Sequence, residues 1–186
     1  MNAPHVRHGR AEVAAVSVVT VVNAPKALVR LLSGALIATS VVLAAQTAAP
    51  ARAVVTIAHF NDVYEIGPVE GGKTGGLARL TTVIKQLKRG AAPVLVTLGG
   101  DYLSPSALGT ARIDGQALAG RQMVDVLNAV GLQWATLGNH EFDLNEAAFK
   151  ARMAESKFGV VISSLTDSAG QPFAHTVPTA IVPMKA

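Results

Sequence analysis

From Val54 onward, short runs rich in β-branched residues alternate with segments whose apolar positions recur every three or four residues. The run VVTIAHF (54–60) reads as a strand, and Leu77, Leu80, Ile84 and Leu87 mark one face of a helix from about Gly76 to Arg89. The cycle repeats with PVLVTLG (93–99) and a helix over 115–130, then QWATLG (133–138) and a helix over 145–157, then GVVISS (159–164). Four strands with three intervening helices predict a layered α/β fold with a largely parallel sheet. The stretch after Gln171 holds one more apolar run and no closing helix, so the fold is expected to be incomplete.

The first 53 residues have a different pattern. A basic flank from Lys26 to Arg30 leads into an apolar run, Leu31–Ala45, and a small-residue exit at Ala51-Arg52-Ala53, the order of an export signal. The run is shorter than the roughly 20 residues needed to span a bilayer. The expectation is therefore a leader over 1–53, cleaved near Ala53, with no stable membrane anchor and a partial domain over 54–186, exported to the periplasm or the extracellular space. The segment before Lys26 is long for the first region of a signal, as a start codon assigned too far upstream would make it.

Composition changes this picture in two ways. Of 16 basic and 12 acidic side chains, five and one fall in residues 1–53, leaving 11 of each in the remainder. That balance removes the case for binding nucleic acid through a general basic field. The chain has no cysteine, which excludes disulfides, thiolate metal sites and thiol nucleophiles. Any metal must be held by oxygen and imidazole ligands.

Each of the first three predicted strands runs into a polar loop: Asn61-Asp62, Gly99-Gly100-Asp101, and Gly138-Asn139-His140-Glu141. Open α/β sheets bind ligands outside the carboxyl ends of their strands, so the three loops would bring Asp62, Asp101, Asn139 and His140 to one place. Two carboxylates, an amide oxygen and an imidazole suit Mg²⁺, Mn²⁺, Fe²⁺ or Zn²⁺. A carboxylate that bridges two such ions sets up a clamp for a phosphoryl group.

The blocks HFNDVYE, GGDYLSP and GNHEFD resemble the first three sequence blocks of the calcineurin-like metallophosphoesterases in their 5′-nucleotidase form. The resemblance covers roughly residues 56–165. It implies the first βαβαβαβ half of a four-layer α/β/β/α sandwich and two divalent metal ions. Asp62 would hold one, Asp101 would bridge both, and Asn139 would bind the second. It also implies that His140 stabilises the transition state or protonates the leaving oxygen, oriented by Asp143. Metal-dependent hydrolysis of phosphate monoesters, nucleotides among them, is the activity that follows.

Two departures from the family pattern stand out. Tyr64 occupies the position, two residues after the first Asp, where the family usually carries His; it is either a phenolate ligand or a packed ring roofing the site. The later blocks that complete the family's metal site, ending in GH-x-H, are absent, and His175 reads as a loop or strand residue. A chain with this ligand set is expected to bind metal weakly. The alternative reading is a truncated, non-catalytic remnant that binds metal weakly or a partner.

Other signals point less far. Residues Gly67–Thr74 fit G-x-x-x-x-G-K-[ST], the pattern of a P-loop NTPase, but sit six residues past the first strand and precede Gly75-Gly76 rather than a helix; a Gly-rich loop is expected. Ser104 and Ser106 lack a nucleophile elbow and suit turn or supporting roles. Arg79 and Arg112 read as solvated surface residues, and Trp134 as core.

Overall fold

The β-branched run after Ala53 forms the strand around which the rest is arranged. The computed structural model describes residues 53–184, together with the backbone of 17–23. Strands β1 (Ser17–Asn23), β2 (Ala53–Phe60), β3 (Val94–Leu98), β4 (Trp134–Ala135), β5 (Gly159–Val161) and β6 (Thr176–Val177) form one sheet in sequential order. β2 through β6 pair in parallel, with Thr56 opposite Val94, Leu98 opposite Ala135 and Ala135 opposite Val160. β1 pairs antiparallel with β2, from Ser17 opposite His59 to Asn23 opposite Ala53. Sequence reasoning assigned no strand there. The basic flank from Lys26, the apolar run to Ala45 and Ala51-Arg52 lie outside the described residues.

Helices α1 (Leu77–Leu87), α2 (Arg121–Val130) and α3 (Glu146–Glu155) make the crossovers between parallel strands. A sequential order with right-handed crossovers puts all three on one face of the sheet. The core agrees: Ala58, Phe60, Val96, Leu98, Ala135 and Val160 from the strands pack with Ile84, Val124, Leu127 and Met153 from the helices. Each fully buried Val, Leu, Ile, Phe or Met side chain contributes about 1.5–3 kcal/mol. Arg152 of α3 is buried among them because its guanidinium donates to the carbonyls of Leu118 (2.7 Å) and Ala119 (3.2 Å) and pairs with Glu155 (2.7 Å). Asn145 caps α3 by accepting from the Ala148 N–H at 2.9 Å.

Three predicted elements are shorter than their patterns suggested. The helix expected from 115 starts only at Arg121, because Asp114-Gly115, both at positive φ (50° and 78°), turns a two-residue ribbon that pairs Arg112–Ile113 with Gln116–Ala117. Ala119 and Gly120 follow at φ 45° and 85° and delay the first helical turn. The strand expected over 133–138 keeps ladder pairing only at Trp134–Ala135, since the Gly138 N–H is captured by a side chain of the next loop. The run 159–164 pairs over Gly159–Val161.

The Gly67–Thr74 segment is a ribbon in which Pro68–Val69 pairs with Thr74–Gly75 around a turn at Glu70–Gly72. Arg79 donates to the carbonyl of Gly72 (2.6 Å), tying the ribbon to α1. This is not the strand-to-helix geometry of a phosphate-binding loop. Trp134 is half-buried rather than in the core; its ring lies where a Cβ on Gly159 would stand. His175 is an exposed turn residue before β6. Among the described residues, no helix is long and apolar enough to cross a membrane.

Candidate functional site

The three polar loops meet beyond the carboxyl ends of β2, β3 and β4, and backbone contacts bring them close. The Gly99 N–H donates to the Phe60 carbonyl (2.8 Å) and the Asp62 N–H to the Gly100 carbonyl (3.2 Å), joining the first loop to the second. Gly100, at φ 99°, passes so near the third loop that an added Cβ would lie 2.5 Å from the Gly138 nitrogen. A Cβ on Gly138 would in turn lie 2.1 Å from Asp101 Oδ1. Glycine at both positions is what allows the loops to touch.

Asp62 and Asp101 both adopt positive φ, 56° and 58°. Left-handed backbone at non-glycine residues costs about 1–3 kcal/mol and persists where surrounding contacts enforce it. Here the contacts converge on the carboxylates. The Tyr64 hydroxyl donates to Asp62 Oδ1 (3.2 Å) and to Asp101 Oδ2 (3.4 Å), and the Asn61 amide donates to Asp62 Oδ2. Asp101 Oδ1 accepts from the His140 N–H at 3.0 Å. Burial, then the negative charge of Asp101 and the hydrogen bond to Asp62, push the Tyr64 phenol well above its ordinary value. Its hydroxyl spans the two carboxylates as a donor.

The third loop contributes an imidazole and its partner. His140 Nδ1 lies 2.7 Å from Asp143 Oδ2, and Ser104 donates to the same oxygen at 3.3 Å, the supporting role expected of that serine. The hydrogen bond to Asp143 is the main cause that raises the His140 pKa, helped by the charges of Asp143, Asp101 and Glu141 against desolvation. The Tyr64 and His140 rings meet edge to face with centroids 5.9 Å apart. Asn139 is exposed at the start of the short helical turn His140–Asp143. The structure thus brings Asp62, Tyr64, Asp101, His140 and Asp143 into one connected cluster, with Asn139 beside it.

The chemistry of this donor set can be set against the metals that the sequence blocks imply. Two carboxylates share one hydroxyl, and among the described residues neither has a Lys or Arg within ion-pair distance. Like charges held this close favour a cation between them. The oxygens of Asp62 and Asp101 therefore fit a hard divalent ion. Among the described residues, however, no group of three or more His, Asp or Glu side chains gathers around a common point, so a second ion would rely on Asn139 and other ligands.

Sequence reasoning missed Glu141. It lies inside the GNHEFD block with no assigned role, yet its carboxylate is fully buried and accepts four backbone N–H bonds. Its position in a one-turn helical segment gives no periodicity from which burial could be read. The only signal was an acid beside His140 that no cation in the sequence neighbourhood could pair.

Comparison with known proteins identifies the family. The family model described as calcineurin-like phosphoesterase matches residues 55–175. Human 5′-nucleotidase is 28% identical over 141 residues, covering 70% of this chain and 23% of the human protein. The 5′-nucleotidase precursor of Thermus thermophilus superposes with a TM-score of 0.58 at 24% identity, over 70% of this chain and 26% of that one. The calcineurin-like phosphoesterase YfkN of Bacillus subtilis gives 0.51 at 20% identity, over 66% and 40%. The chain therefore spans between about a quarter and two fifths of the length of these relatives. Because the matched span takes in every strand-end loop from Asn61 to Asp143, the chain belongs to the calcineurin-like phosphoesterase family.

Proposed function

We propose that this chain is the metal-binding amino-terminal part of an exported hydrolase of phosphate monoesters, with nucleotides as the favoured substrates. The observation that carries the reading is the convergence of Asp62 and Asp101 from adjacent strand ends beside the His140–Asp143 pair. Family membership and the likeness to human 5′-nucleotidase support the substrate class. Asp62, Asp101 and Asn139 would hold divalent ions, with Tyr64 as a further oxygen ligand should it lose its proton. When bound, such ions supply Lewis-acid polarisation of the phosphoryl group and a more acidic attacking water.

The chain's own residues account for the remainder of the chemistry. Hydrolysis breaks the bond from phosphorus to the ester oxygen, and the departing oxygen needs a proton. His140 supplies it from the charged imidazole that Asp143 favours, or stabilises the charge that builds on that oxygen. Asp143 fixes the tautomer by engaging Nδ1, which leaves Nε2 toward substrate. The test is turnover of AMP and p-nitrophenyl phosphate with Mn²⁺ by the full-length protein. Asp101→Asn is expected to abolish turnover; unchanged turnover overturns the reading.

A second reading is favoured by the absence, among the described residues, of a group of three His, Asp or Glu ligands. In it, the 186-residue chain binds one metal weakly, or a partner, without catalysis. Hydrolysis by the purified chain that disappears in His140→Ala would refute it.

A further inference from the structure

A buried carboxylate is costly unless its lone pairs are taken up, and Glu141 is the one fully buried acid among the described residues. No Lys or Arg among them pairs with it. Its partners are instead four main-chain N–H groups from two loops. Oε1 accepts from Tyr102 (2.7 Å) and Leu103 (3.1 Å), and Oε2 accepts from Asp101 (2.9 Å) and Gly138 (2.6 Å). Consecutive N–H groups turned toward one anion form an anion-binding concavity, here filled from within the protein. With Asp101 left-handed at φ 58°, its N–H points inward to Glu141. The same conformation sends the Asp101 carboxylate outward to the His140 N–H and the Tyr64 hydroxyl.

We propose that Glu141 is a positioning residue that clamps the loop after β3 onto the loop after β4 and so fixes the backbone conformation that aims Asp101 into the site. The inference rests on the proposed role of Asp101 as a metal ligand. It assigns Glu141 no contact with substrate or metal. Its effect passes through two oxygens, each of which holds two N–H groups. Replacing one oxygen with an amide NH₂ sets a donor against two donors, whichever way the amide is turned. Glu141→Gln keeps size and shape and removes half the clamp.

The test compares the wild-type chain, Glu141→Gln and Asp101→Asn by amide hydrogen exchange and by Mn²⁺ titration followed by electron paramagnetic resonance. In Glu141→Gln, the amides of Asp101, Tyr102, Leu103 and Gly138 are expected to lose protection while Val96 and Val160 in the sheet keep theirs. Mn²⁺ affinity is expected to fall about 10- to 100-fold, the usual cost of losing a group that orients a ligand. Asp101→Asn should lose the affinity and keep the protection at Tyr102 and Leu103. Unchanged exchange at the four amides, or unchanged Mn²⁺ affinity in Glu141→Gln, overturns the proposal. If the wild-type chain takes up no Mn²⁺, the metal role of Asp101 fails, while the exchange pattern still decides whether the clamp exists. Should Glu141→Gln not fold, the wild-type chain decides: the four amides must exchange as one unit, and unrelated rates among them overturn the clamp.

Discussion

His140 and Asp143 make the sharpest statement at the scale of single residues. The hydrogen bond that the imidazole donates to Asp143 holds its pKa above the ordinary value, with neighbouring acids adding to the effect. A raised folded-state pKa means that the charged form is favoured in the folded chain. Its contribution to stability is full below the unfolded histidine value of about 6.5 and is lost as pH rises through the folded value. Titration of the His140 Cε1 proton by nuclear magnetic resonance is expected to give a lower pKa in Asp143→Asn than in the wild-type chain. Equal values would show that Asp143 is not the cause. The resemblance carried by the GNHEFD block implied this pair, and one helical turn brings its two members into contact. Glu141, in the same turn, was not legible, since its partners are backbone groups 38 to 40 residues away and 3 residues before it.

Loops meeting at strand ends turn these residues into a site at the scale of elements, and glycine sets how near they come. Gly138→Ala would place a methyl group 2.1 Å from Asp101 Oδ1, with the Asp101 backbone also at 3.0 Å, so the two loops must part. Such overpacking costs about 1–3 kcal/mol. Urea unfolding of Gly138→Ala is expected to show a lower midpoint with an unchanged slope, and a midpoint equal to wild type would mean that the loops separate freely. Strand and helix periods gave the three α/β cycles because burial on one helix face repeats every turn. The pattern overran where turn chemistry competes with it. Asp114-Gly115 carries a hairpin signal at the start of a stretch that otherwise reads as helix, and the structure follows the turn. Strand β4 was overestimated for a related reason, since Gly138 gives its N–H to Glu141 rather than to the ladder.

The sheet is two-sided in sequence and one-sided among the described residues, and this difference belongs to the whole molecule. Runs such as VVTIAHF and PVLVTLG are nearly continuous in apolar residues, as strands covered on both faces tend to be. The three helices cover Ala58, Phe60, Val96 and Leu98, while Val55, Ile57, Leu95, Trp134 and Val161 on the other face are half-buried. The four-layer sandwich implied by the sequence blocks would put a second sheet there, a relation between layers that no local pattern in this chain encodes. The edge of the sheet depends on the fate of residues 1–53. β1 covers the full length of β2, from His59 to Ala53. Cleavage near Ala53 would remove β1 and expose a row of N–H and C=O groups along β2, the kind of edge that proteins usually cover or shorten. Export with cleavage and retention of β1 therefore exclude one another. On the proposed export with cleavage near Ala53, the intact mass of the chain recovered from an exporting host is expected to correspond to a start near Val54. A recovered chain that still carries Ser17–Asn23 would overturn export with cleavage and leave β1 as the permanent edge of the sheet.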